Sequence, residues 1–417
     1  MVIDSVDSLL TALRRLQILG PQQVDEIARE LAPRYQDPFE LSEYLIEIAW
    51  LTAHQRRLLF EGRWNELAVG PYQILDRLGE GGVSEVFKAW DTVRGRDVAL
   101  KVLRRRLAGR PDAVQQLRRE QQAVVRLVHP NIIKTYDADQ VDGLHYFAME
   151  CVEGMDLHQY VQRYGPAPVE QACDYVRQTA QGLQHAHQAG LVHRDVKPAN
   201  LFLLNPPLPD GEGPVRSRPA EPVVKILDWG LARLRPASGE ATDATAQEID
   251  AEKGLLIGTA DYIAPEQARD PTLVDIRADI YSLGCVFYYL LTGRPPFAGP
   301  SLMQKLLQHQ EEPPPSARAL RPDVGDELNV VLLRMMAKQP EERFQIPLLA
   351  AAALRRFCSG AAVGLTGLAG AVGAAFRPSS SASLLRPTSG ANLPRPGSSA
   401  NLSRQEAKSH DYPPLNR

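Results

Sequence analysis

His193-Arg194-Asp195-Val196-Lys197-Pro198-Ala199-Asn200, followed by an apolar strand-like run and then by Asp228-Trp229-Gly230, is the stretch on which the reading of this chain turns. Moving a phosphoryl group asks little covalent chemistry of a protein. It needs a carboxylate beside the attacking hydroxyl, cations beside the phosphates and metal ligands held in register. Asp195 supplies a carboxylate able to accept or orient a hydroxyl proton, and Lys197 a cation able to steady the transferring group. Asn200 and Asp228 offer hard oxygen ligands of the kind Mg2+ takes.

Working back toward the N-terminus, Gly79-Glu80-Gly81-Gly82-Val83-Ser84-Glu85-Val86 reads as a glycine-rich turn between two strands, where missing side chains let backbone N–H groups approach phosphate oxygens. A dinucleotide-binding fold would need a helix straight after the glycines. Here a strand follows, and then a second one, Val98-Ala99-Leu100-Lys101, so a hairpin is expected. Lys101 sits in an apolar strand, where burial is costly unless an anion and a carboxylate neutralise it. Glu120 is the candidate partner, on a helical face shared with Val124 and Leu127.

The 417 residues exceed what one compact core normally serves. Apolar residues are 44% and charged residues 23%, which excludes a wholly disordered, collagen-like or coiled-coil chain. With 47 basic against 50 acidic residues the net charge is −3, so no overall field recruits nucleic acid, and binding has to be local. The four cysteines lack metal-ligand spacing and the density of a disulfide scaffold, which fits a reducing cytosol. His185 and His187 lie two apart on a helix, point to different faces and cannot share a metal.

Residues 1–69 are expected to form a small helical module, broken at Gly20-Pro21, with Thr52 as an N-cap and Gly62 as a stop. From Tyr72 to Val152 the pattern is strands with one helix over 113–127, and residues 153–357 are mainly helical. The inserts 205–222 and 236–253 read as surface loops. Residues 358–376 are apolar and rich in Gly and Ala. Their core, 361–376, is shorter than the roughly 20 residues of a membrane span and reads as a flexible tether, with membrane contact as the alternative. Residues 377–417 read as a disordered Ser/Pro/Arg tail with a faint nine-residue repeat.

The ordered set "LGEGGVSEV", "VALKVL", "HPNII", "AMECVEG", "HRDVKPAN", "DWG", "IGTADYIAPEQ", "DIYSLG" and "PEERF" resembles the eukaryotic-like serine/threonine protein kinases of bacteria, and the N-terminal helices resemble, more loosely, a leader of planctomycete type. The resemblance implies an α+β bilobal fold: a five-stranded antiparallel N-lobe with one main helix and a mainly helical C-lobe. It implies ATP and Mg2+ as cofactors, and protein serine or threonine hydroxyls, the chain's own included, as substrates. By the same resemblance Lys101 holds the α- and β-phosphates and pairs with Glu120, Asp195 is the catalytic base, and Asn200 and Asp228 bind the metal. Leu78, Gly79, Gly81, Gly82, Val83 and Ser84 would cover the nucleotide. Val86, Ala99 and Phe202 would sandwich adenine beside the gatekeeper Met149 and the hinge Glu150 to Val152. Thr259 would reach Asp195 and Lys197.

Two positions depart from the commonest family pattern: Ser84 replaces the third glycine, and Trp229 stands where phenylalanine is usual. Neither removes a charged group. Arg194 and Arg233 correspond to a basic pocket for a phosphothreonine, for which Thr242 and Thr245 are the candidates. Asp279 is expected to hold the catalytic-loop backbone, and Glu266 to pair with Arg343 in the core. A nucleotide-binding scaffold without turnover is the competing reading.

Overall fold

Ser5, Asp37 and Thr52 each open a helix by accepting a backbone N–H of its first turn, and these caps punctuate the N-terminal segment into α1 (Val6–Leu16), α3 (Pro38–Glu47) and α4 (Ala53–Phe60). Between them α2 (Pro21–Glu26) begins at the Gly20-Pro21 break, where proline's fixed φ suits a first helical position. After α4, Gly62 takes a φ of +71°, open to glycine at little cost. The helices enclose a core of their own that includes Leu9, Leu13, Ile27, Leu41, Leu45 and Leu58. The computed structural model describes residues 3–81, 84–103, 121–206, 221–229, 260–270 and 274–358. These fall within one compact unit, Met1–Val363, while the second unit, Gly364–Arg417, lies outside them.

The strands expected from Tyr72 onward form one antiparallel sheet: β2 (Tyr72–Glu80), β3 (Ser84–Asp91), β4 (Arg96–Leu103), β5 (Thr135–Val141) and β6 (Leu144–Glu150). A two-residue strand, β1 (Ala68–Val69), pairs with β2 and makes six, in the order β1-β2-β3-β4-β6-β5. Register shifts between Ile74 and Asp76, and between Arg77 and Gly79, bend β2 as it nears the glycine turn. The helix expected over 113–127 is described only from residue 121, and 121–125 are helical.

Beyond the sheet, β7 (Met155–Asp156), β8 (Leu201–Leu204) and β9 (Val223–Ile226) form a small second sheet. The helices α5 (Leu157–Tyr164) and α6 (Val169–Gln188) pack on it, and α7 (Pro265–Arg269), α8 (Ile276–Thr292), α9 (Leu302–Glu311), α10 (Asp326–Met335) and α11 (Pro347–Leu354) complete the lobe. α8 is the axis of this lobe, buried from Ala278 through Leu291. α6 carries Gly182 beneath β9, where a Cβ would stand 2.7 Å from Ile226 Cδ1 and 2.9 Å from Asn131 O, so only glycine allows the approach. The segment ahead of β5 joins the lobes, since Ile226 N donates to Asn131 O at 2.9 Å and Ile133 N to Ile226 O at 3.0 Å. Among the described residues, no helix is long and apolar enough to cross a membrane.

Candidate active site

Sheet register puts the first group of residues on one face. Val86 lies opposite Lys101, and Ala99, two residues before Lys101, lies opposite Met149. Cross-strand partners share a face, as do alternate residues along a strand. Lys101 is 6% exposed, and its ammonium meets Asp228 Oδ1 at 2.6 Å. Burial by itself would raise the Asp228 carboxyl. The Lys101 charge and hydrogen bond reverse this and hold the acid below the usual carboxylate range, helped by His193 and Lys197. Lys101 and Asp228 line a narrow cleft together with Val124, Phe147, Met149 and Trp229.

The second group is built on strained backbone. Arg194 and Asp228 have φ of +66° and +62°, a region that costs non-glycine residues on the order of 1–3 kcal/mol. Asp279, on α8, restrains the first of them: its two oxygens accept His193 N at 2.8 Å and Arg194 N at 2.7 Å. Gln267 Nε2 donates to Arg194 O at 2.7 Å from the other side. His193 links both strained residues. Its Nε2 lies 2.7 Å from Leu227 O and so carries the hydrogen, while Nδ1 accepts Asp195 N–H at 3.2 Å. The Trp229 ring packs edge-on against the His193 ring with centroids 4.8 Å apart. The larger indole is accommodated, being 4% exposed.

Within this frame Lys197 Nζ lies 3.0 Å from Asp195 Oδ2. Asn200 Nδ2 donates to Asp195 O at 2.8 Å and to Asp195 Oδ2 at 3.2 Å. Leu227 N donates to Asn200 O at 2.9 Å, which couples the loop to the residue before Asp228. Asp195, Lys197 and Asn200 thus form one bonded cluster, and Lys101 with Asp228 another, and the contacts of Asn200 and His193 with Leu227 join the two.

Val86, Ala99, Met149, Val152 and Phe202 are half-buried, whereas Leu78 is exposed. Gly81 N donates to Ser84 O at 2.8 Å and closes the glycine turn beyond Gly79, with Ser84 buried. Glu150 is held from three directions: its N donates to Lys134 O, and its Oε1 accepts both Lys134 N at 2.8 Å and Lys225 Nζ at 2.7 Å. The Lys225–Glu150 pair and Gly182 carry no motif signal, and Gln267, which ends the "IGTADYIAPEQ" stretch, has no role assigned to it from the sequence. Asp279 holds the loop as expected, and Arg343 meets Glu266 through two bonds of 2.6 and 2.8 Å. Gly82, Val83, Glu120 and Thr259 lie outside the described residues, as do Thr242, Thr245, Arg233, the tether 361–376 and the tail.

Residues 72–354 match the protein kinase domain family. The chain is 41% identical over 280 residues to the serine/threonine-protein kinase PknB of Mycobacterium leprae, and 40% identical over 280 residues to PknB of Mycobacterium tuberculosis. Each match covers 66% of this chain and 41% of the relative, so the chain spans about two-fifths of the length of the curated relatives it matches. The crystal structure of the Mycobacterium tuberculosis PknI kinase domain superposes with a TM-score of 0.52 at 28% sequence identity, covering 70% of this chain and 98% of that one. With the Lys101–Asp228 and Asp195–Asn200 clusters set between a strand-built and a helical lobe, the chain belongs to the protein kinase family, in its bacterial eukaryotic-like serine/threonine branch.

Proposed function

We propose that the chain transfers the γ-phosphate of ATP to serine and threonine hydroxyls of proteins, itself among them. The observation that carries this reading is the joining of the two clusters, which brings Lys101, Asp195, Asn200 and Asp228 from distant parts of the sequence into one bonded network. Lys101 is the cation for the α- and β-phosphates. Its buried setting keeps the charge poorly solvated and so strengthens its pull on an anion. Val86, Ala99 and Phe202 bound an apolar slot for adenine, ending at Met149 and at the backbone of Glu150 to Val152. Leu78, Gly79, Gly81, Gly82, Val83 and Ser84 cover the phosphates.

Asp195 is the base: it orients the substrate hydroxyl and takes its proton as the hydroxyl oxygen bonds to the γ-phosphorus and the bond from that phosphorus to the bridging oxygen breaks, releasing ADP. Lys197, bonded to the same carboxylate, moves to the transferring phosphoryl oxygens, and Thr259 supports both. The donor set suits Mg2+. Asn200 has its Nδ2 committed to Asp195, so the amide oxygen is its remaining ligand atom, and Asp228 is kept ionised by Lys101. Bound there, Mg2+ would neutralise charge on the phosphate oxygens. Phosphorylation of Thr242 or Thr245, read by Arg194 and Arg233, would order the activation segment.

The test is transfer of labelled phosphate from ATP and Mg2+ to the protein, beside Lys101→Met and Asp195→Asn. Label on phosphoserine or phosphothreonine in the parent, and its loss in both variants, is expected. Equal label on all three proteins, or none on any, would favour the scaffold reading. Replacing Thr242 and Thr245 together by alanine and finding undiminished activity in freshly dephosphorylated enzyme would remove the activation-segment proposal.

A further inference from the structure

The capping box of α4 does more than start a helix. Thr52 Oγ1 accepts Gln55 N at 3.1 Å and Gln55 Oε1 accepts Thr52 N at 3.1 Å, the reciprocal pair that satisfies two orphan donors. That leaves the threonine one hydroxyl hydrogen and the glutamine its amide hydrogens. Both residues turn these toward consecutive carbonyls of β2: Thr52 Oγ1 donates to Leu75 O, and Gln55 Nε2 donates to Ile74 O at 2.8 Å. Gln55 is 2% exposed, so its bond to the strand is sheltered from water.

The place where these bonds land matters. Ile74 pairs with Ala89 and Asp76 with Lys88, so Leu75 is the extra residue of a bulge, and its carbonyl is the one met by the helix cap. From here β2 runs to Gly79 and Gly81, four to six residues on, or roughly 13–20 Å at strand rise. The same edge is held at Gln73, whose Nε2 donates to Ile18 O at 2.6 Å, and at Ile74, whose N donates to Leu67 O at 2.9 Å. His54 of α4 sets its ring 6.1 Å from Phe87 on β3. Among the described residues β1 covers β2 only at Tyr72 and Gln73, so beyond them β2 has an open edge, and such an edge with a bulge is otherwise free to twist and shift register.

We infer that Thr52 and Gln55 are positioning residues for the nucleotide site: through the Leu75 bulge the N-terminal helices fix the root of the glycine-rich hairpin and thereby set its affinity for ATP. This rests on the proposed kinase function for its kinetic readout only. Whatever binds the helices and shifts α4 changes nucleotide affinity by the same coupling.

The test uses the full chain with substitutions that separate cap from clamp. Thr52→Asp remains a good N-cap but has no hydrogen for Leu75 O. Gln55→Glu keeps the oxygen facing Thr52 N but has no hydrogen for Ile74 O. Thr52→Ser keeps both functions. For the first two, hydrogen exchange at residues 74–81 is expected to quicken and KM for ATP to rise about 3- to 10-fold, the value of one lost hydrogen bond, with kcat within about twofold. Thr52→Ser should match the parent in both. Unchanged exchange at 74–81 in a folded Thr52→Asp or Gln55→Glu overturns the inference, and so does a kcat loss with KM unmoved. Should the parent transfer no phosphate, the proposed function fails while the exchange comparison still decides the clamp. If Thr52→Asp does not fold, Gln55→Glu decides it.

Discussion

Asp279→Asn isolates the support of the catalytic loop from its chemistry. The carboxylate, in a residue 1% exposed, accepts the N–H groups of His193 and Arg194 at 2.8 and 2.7 Å. An asparagine of nearly the same shape offers one oxygen for two donors and turns an N–H toward the other. The loss is one charge-assisted bond, about 1.5–3 kcal/mol, which equals the roughly 1–3 kcal/mol needed to hold Arg194 at a φ of +66°. The loop then gains by relaxing, and Asp195, the next residue, moves with it. A shift of about 1.4–2.8 kcal/mol against the productive loop lowers kcat about 10- to 100-fold. KM for ATP should stay within about twofold, because Lys101, Ala99 and Met149 belong to the sheet. Thermal stability is the weaker reporter. Burial raises the Asp279 carboxyl despite the pull of His193 and Arg194, so its charge costs folding energy, and a neutral amide gives part of that back. Steady-state phosphoryl transfer at saturating peptide is the assay. A folded Asp279→Asn with kcat within twofold of the parent would refute the reasoning.

Three further outcomes are expected. Arg343 is fully buried and spends five N–H donors on Glu266 and on the carbonyls of Ala337, Arg277 and Lys338. Arg343→Met should therefore lose about 3–5 kcal/mol and, at 2–4 °C for each, melt roughly 6–20 °C lower by scanning calorimetry; an unchanged melt excludes a structural pair. Burial, with Lys338 nearby, lowers His309 to about 3, so in the pH range between that value and the unfolded value near 6.5 the unfolded chain holds more protons. Stability is complete above about pH 6.5 and falls by up to about 1.4 kcal/mol per unit below it; His309→Asn should show a shallower fall between pH 7 and pH 5 than the parent. Gly182→Ala would ordinarily stabilise a helix by about 1 kcal/mol. Here the methyl meets Ile226 and Asn131, and destabilisation by about 1–3 kcal/mol is expected in urea titration, a gain being the contrary result.

What the sequence disclosed follows from how locally each feature is encoded. Asp195, Lys197 and Asn200 are close in sequence because one short loop must present them together, so their types and spacing survive in a linear reading. Thr52 was legible as a cap because capping is chemistry between neighbours. The Lys101–Asp228 contact was harder: Asp228 lies 127 positions after Lys101, and only the shared fold brings them within 2.6 Å, while the expected partner Glu120 lies outside the described residues. The bonds from Thr52 and Gln55 to β2 could not be anticipated, since a capping box looks the same whether its spare hydrogens face water or a strand. β1 is two residues long and carries no alternation to read. Gly182 looks like any helical glycine until β9 is laid across it.

A helix with no outward face carries a burden during synthesis. From Ala278 through Leu291 α8 packs on the earlier α6, but the rest of its cover comes from later segments, among them α10 and α11. At 5–20 residues per second, the roughly 60 residues from Thr292 to Leu354 take about 3–12 s to leave the ribosome. Through that interval Val286, Phe287, Tyr288, Leu290 and Leu291 belong to a helix whose cover from α10 and α11 is still unmade, so this stretch is where a chaperone would be expected to hold the emerging polypeptide.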